Sequence, residues 1–172
     1  YETLIERDRD TLELKPLLAE TYTISDDKLI YTFKIKKGIK FHDGHPLTAH
    51  DLKFAFDKIM DPNVDAAHLR NYYQDIERLD IIDDYTVRFT YRRPYFMALE
   101  FCGGIPFIPE HIFKGGDFNK HPAGRHPVGT GPYRFVKWAT GNEIVVERNP
   151  DYWGDVPEIK RIVYKFITED SS

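Results

Sequence analysis

The chain has 172 residues, 41% of them hydrophobic and 30% charged, which is enough for one globular domain or one domain plus part of another. A formal net charge of −4 argues against a binder of nucleic-acid phosphates. No apolar run approaches the ~20 residues that cross a bilayer, and the single cysteine, Cys102, cannot close an internal disulfide.

Taken in order, residues 4–7 extend a strand, and Pro16-Leu17-Leu18-Ala19-Glu20 reads as a short turn of helix opened by proline. The clearest hairpin follows. Tyr22 and Ile24, then Leu29, Tyr31, Phe33 and Ile35, alternate with polar residues around Ser25-Asp26-Asp27-Lys28. A helix is expected over residues 48–60, with Thr48 as cap and Asp51 three residues on in a variant of the capping box. Leu52, Ala55, Phe56 and Ile59 fall on one face of it. Residues 63–74 fit a helix or a loop. A second hairpin spans 76–91 and turns at Asp83-Asp84. Pro94 is expected to open a helix that runs through Phe101 and stops at Gly103-Gly104, with a helical turn at Pro109-Glu110-His111. Residues 114–127 are rich in Gly, His, Pro and Lys and read as a surface linker and domain boundary. A third hairpin follows over 132–148, and a last strand over 159–167. The pattern is α+β: antiparallel hairpins with a few helices packed on one face.

Chemistry has little to stand on. His42, Asp43, His45 and His50 are metal-ligand types, but their spacing is irregular and too few donors converge, so Asp43-Gly44 reads as a tight turn. Gly129-Thr130-Gly131 is not a phosphate cradle, since no Lys-Ser/Thr follows and a strand comes next. Cys102 has no base nearby and reads as a small buried hydrophobe. No nucleophile elbow or zinc-protease motif occurs, so catalytic residues, metal and cofactor are all expected to be none.

Several segments, in register, resemble one family. They are Tyr31-Thr32-Phe33-Lys34-Ile35-Lys36-Lys37-Gly38 through Phe41-His42-Asp43-Gly44, then Pro46-Leu47-Thr48-Ala49, then His126-Pro127-Val128-Gly129-Thr130-Gly131-Pro132-Tyr133, and last Asn149-Pro150-Asp151-Tyr152-Trp153-Gly154. Together they resemble the bacterial family 5 extracellular solute-binding proteins, the oligopeptide, dipeptide and nickel binding proteins of ABC importers. The resemblance implies a fragment: a small extra α+β domain at 1–113, a linker at 114–127, and part of the first ligand-binding lobe at 128–172. It implies a monomer outside the cytoplasmic membrane, in the periplasm or anchored there, that passes a peptide or similar solute to a membrane permease. Nucleic acid is not an expected partner. Tyr72, Tyr73, Phe101, Cys102, Gly103 and Gly104 are the positions it places toward ligand. Such a fragment is expected to bind solute weakly, because the cleft needs both lobes. A nickel or metallophore carrier, or a solute-sensing domain of a transcription regulator, are the alternative readings within the same fold.

Overall fold

The computed structural model describes residues 1–167. Its main body is a four-stranded antiparallel sheet built from two hairpins. Strands β3 (Ala19–Ile24) and β4 (Ile30–Ile35) form the first, and β5 (Ile76–Asp83) and β6 (Thr86–Tyr91) the second; the spatial order is β3-β4-β6-β5. The first turn closes as its acidic sequence expects, with Asp27 Oδ1 accepting from Ser25 Oγ and from the Leu29 N–H. A register of Phe33 opposite Val87 and Tyr31 opposite Phe89 puts the alternate residues Tyr31, Phe33, Ile35, Val87, Phe89 and Tyr91 on one face, all buried. Phe33 and Phe89 meet edge to face at 5.9 Å.

Helix α1 (Ala49–Met60) covers that face with Leu52, Ala55, Phe56 and Ile59, the stripe expected from its periodicity. Asp51 caps two helices at once. Its Oδ2 accepts from the Thr48 N–H at 2.9 Å, and its Oδ1 accepts at 3.0 Å from the N–H of Glu110, the first residue of α4 (Glu110–Phe113). The carboxylate is only 4% exposed, and these bonds to otherwise orphaned helix donors are what make its burial tolerable. The ambiguous stretch 63–74 contains α2 (Ala67–Tyr73), and α3 spans Ala98–Gly103. Among the described residues no helix is long and apolar enough to cross a membrane.

Two local expectations are corrected. Residues 16–20 form no helical turn. Pro16 ends β2 (Leu14–Pro16), which pairs with β1 (Ile5–Arg7), and Ala19 begins β3. The reason is tertiary: the N–H groups of Leu17 and Ala19 donate to Leu4 O, and that of Leu18 to Thr3 O, so a local helix has no claim on them. Nor does Pro94 open a helix. Residues 94–97 are loop and turn, and α3 starts only at Ala98, whose carbonyl accepts from the Tyr91 hydroxyl at 3.1 Å.

Residues 114–127 carry two 3-10 turns, Phe118–Lys120 and Pro122–Arg125. They are fastened to the α1–α2 connection, since Asn119 Oδ1 accepts from the Asp65 N–H and Asn119 Nδ2 donates to Asn63 O. The chain then builds a separate three-stranded antiparallel sheet in the order β7 (Tyr133–Ala139), β8 (Glu143–Arg148), β9 (Arg161–Lys165).

Candidate functional site

The end of α2 and the start of α3 lie side by side, and this brings three of the six expected ligand-facing residues together. The rings of Tyr72 and Phe101 stack at 4.9 Å with 21° between planes, and Tyr73 meets Phe101 edge-on at 6.2 Å. Tyr95 lies parallel to Phe101 at 5.8 Å, and Phe96 is packed against Tyr95 at 5.2 Å. The result is a run of four rings, Tyr72–Phe101–Tyr95–Phe96, that ends in a phenylalanine 91% exposed. Offset and edge-on pairs of this kind stabilise one another, so the run is set before any ligand arrives. Phe96 is, with Tyr72, Tyr73 and Phe101, one of the aromatics whose ring suits the lining of a cleft, while Tyr95 was not expected. Both sit just after Pro94, and reading that stretch as helix hid the fact that a loop lays Tyr95 on Phe101, with Phe96 packed on Tyr95.

The other three residues play different parts. Cys102 has no exposed surface, and burial pushes its thiol well above the ordinary range, which leaves a neutral packing group. Gly103 is buried where an added Cβ would lie 2.6 Å from Ile5 Cδ1, so it is a close-packing glycine. Gly104 ends α3; a Cβ there would meet Glu100 O at 2.6 Å. Gly104 also lines, with Tyr73, a cavity of about 650 Å³. Ala55 and Ile59 of α1, Leu69 of α2 and Phe118 of the first 3-10 turn complete much of its apolar wall. Its size is that of an ordinary small-molecule pocket.

The histidines do not converge. His42 is bonded to the Gly129–Gly131 backbone, with Nε2 at 2.9 Å from Gly131 O and Nδ1 accepting from the Gly129 N–H at 3.3 Å. His45 stacks on His111 at 3.8 Å, and His111 Nε2 lies 2.7 Å from Asp43 Oδ2. His50 is exposed and 3.7 Å from Asp84. Gly44 has a φ of +89°, as the tight turn requires. Among the described residues no three His, Cys, Asp or Glu side chains are grouped so as to hold a metal ion.

Residues 13–172 match the family model of the bacterial extracellular solute-binding proteins, family 5, middle region. The chain belongs to this family. The family 5 chain is 33% identical to the glutathione-binding protein GsiB of Escherichia coli, with all of this chain aligned to 33% of that protein. In structure it is similar to NikZ from Campylobacter jejuni, solved in complex with Ni(L-His), with a TM-score of 0.87 and 29% identity, covering 96% of this chain and 33% of that one. It is likewise similar to the oligopeptide-binding protein AppA from Bacillus subtilis, solved in complex with a nonapeptide, with a TM-score of 0.85 and 30% identity, covering 97% of this chain and 34% of that one. The chain thus spans about a third of the length of the relatives it matches. These relatives are solute-binding proteins.

Proposed function

We propose that this family 5 chain is part of the solute-capturing component of an ABC importer. It works outside the cytoplasmic membrane, in the periplasm or anchored at the outer face, as a monomer that hands a peptide or similar small solute to a membrane permease. The observation that carries this reading is the agreement in fold, at TM-scores of 0.87 and 0.85, with proteins solved around a nickel–histidine complex and a nonapeptide. The chain does no bond chemistry. A solute that touches two lobes binds their closed arrangement better than the open one and so draws the equilibrium toward closure.

In the same reading residues 1–113 are the small extra domain, 114–127 the connector and 128–172 part of the first ligand-binding lobe. The exposed side chains of the β7–β9 sheet support that division. Val136, Trp138, Val163 and Tyr164 are 39–55% exposed, which suits a sheet covered by the rest of a longer protein. The ligand-facing positions are Tyr72, Phe101 and Tyr73 with Phe96 and the added Tyr95, and Gly104 on the cavity wall. Cys102 and Gly103 set the height of this surface from behind. A peptide of mixed sequence suits such a surface, because ring faces give large contact area with few rotors to freeze.

Calorimetry on the whole protein tests the reading. Peptides are expected to bind with dissociation constants of about micromolar or tighter, and Phe101→Ala to weaken binding about tenfold or more by removing the ring on which Tyr72 and Tyr95 stack. Full affinity in Phe101→Ala would remove the site. No binding of any peptide, amino acid or metal–amino acid complex would remove the function.

A further inference from the structure

The four-stranded and three-stranded sheets are joined by a junction that turns on two side chains. His42, on the loop after β4, donates its backbone N–H to Gly129 O at 2.8 Å and engages Gly129 and Gly131 through both ring nitrogens. Nδ1 accepts from the Gly129 N–H, so the proton sits on Nε2 and points at Gly131 O; the hydrogen-bond network assigns this neutral tautomer. Glu2, on the segment before β1, supplies the second point. Its Oε2 accepts from the Thr130 hydroxyl at 2.6 Å and from Trp153 Nε1 at 3.1 Å, and its Oε1 accepts from the Tyr152 hydroxyl at 2.7 Å. Thr130 is 1% exposed. One carboxylate therefore gathers three donors from both flanks of the β7–β8 hairpin, while its own backbone carbonyl accepts from the Phe107 N–H on the other side.

We infer that His42 and Glu2 form a two-point clasp that fixes the β7–β9 sheet against the four-stranded body, and that protonation of His42 opens its own point while Glu2 keeps the other shut. The chemistry is direct. A proton added to Nδ1 faces the Gly129 N–H, so two donors meet where a hydrogen bond stood, and the loop bearing Gly129 and Gly131 must move off. Water reaches the ring, because His42 lines a cavity of about 480 Å³ with Phe41, Arg134, Asn149 and Trp153. Five charged groups surround His42. Glu2 favours its protonation; the amino group of Tyr1 and Arg134 on β7 oppose it. Lys40 and Asp151, of opposite charge, line the same cavity.

Burial is the largest influence on the ring and holds its pKa below that of a free imidazole. The sign follows. An opened junction lets His42 regain the ordinary value of about 6.5, so the open state takes up protons more readily than the closed one. The stabilisation of the closed junction is therefore complete above about pH 6.5 and is lost as the pH falls below it. This inference stands on the junction's own bonds and is independent of which solute the protein carries.

Hydrogen exchange of single backbone amides on the full chain, expressed as protection factors, tests it. Between about pH 7.5 and about pH 5.5, protection at His42 and Gly129 is expected to fall about tenfold while the amides of β4 and β6 keep theirs. His42→Gln keeps a donor near Gly131 O but does not titrate, and should abolish the pH step. Glu2→Gln should retain the step, because its amide oxygen still accepts from Thr130 and Trp153; it also serves if His42→Gln fails to fold. Glu2→Ala should lower protection at Asn149 and Tyr152, whose amides donate to Pro132 O and Asn149 O in the segment Glu2 holds, at both pH values. The clasp is overturned by unchanged protection at His42 and Gly129 in the parent chain, by a step that persists in His42→Gln, or by an equal loss in β4 and β6, which would mark global acid unfolding instead.

Discussion

The four-stranded sheet and the three-stranded sheet are made from the same kinds of residue and end up in opposite condition. In the first, Phe33, Val87, Phe89 and Leu52 have no exposed surface, and α1 seals the layer. In the second, Val145 is the one apolar strand residue that the described chain buries, while Val163 stays 43% and Tyr164 55% exposed. The first region makes its own core. The second is held in place by polar bonds at the junction and leaves apolar side chains exposed. A sheet's alternation says which residues share a face; it does not say whether that face is already covered.

The contrast can be broken by mutation, and urea unfolding of the 172-residue chain gives the scale. Phe33→Ala removes a fully buried ring from the sealed layer and is expected to cost about 3–5 kcal/mol. A loss below about 1 kcal/mol would mean that layer is not the core. Asp51→Ala strips the shared cap from Thr48 and Glu110 and should cost about 1–3 kcal/mol, with Asp51→Asn milder because one oxygen still accepts. Val163→Ala, on the open sheet, should stay within about 0.5 kcal/mol in this chain. The same change in the whole protein should cost more if the rest of the chain covers β9. Smallest of all, Lys53→Ala loses an exposed i,i+4 pair with Asp57, about 0.3–0.5 kcal/mol that vanishes in high salt.

What could be read from sequence divides along the same line. The hairpin around Ser25–Lys28, the Thr48–Asp51 cap and the apolar stripe of α1 are local patterns whose partners lie within a few residues, and all three stand in the structure. Pro16–Glu20 misled because its N–H groups bond to Thr3 and Leu4, a claim that no window around residue 18 contains. Pro94 misled because proline marks turns as well as helix starts. Of the site, Tyr72, Tyr73 and Phe101 were legible through the family resemblance, and the structure gathers them. Phe96 was legible only as one of several aromatics, and Tyr95 was not legible, since only the loop geometry lays it on Phe101 with Phe96 beside it. Glu2 carried no signal at all: its three donors lie 128 to 151 residues away.

In the proposed function the Tyr72–Phe101–Tyr95–Phe96 surface meets a solute when the whole protein closes. Hydrogen exchange of the whole protein, with and without a bound peptide, addresses it most directly. Slowed exchange at residues 72–73, 95–96 and 101–104 on peptide addition is the predicted result. Peptide-dependent protection confined to other parts of the protein, with these segments exchanging as before, would contradict it.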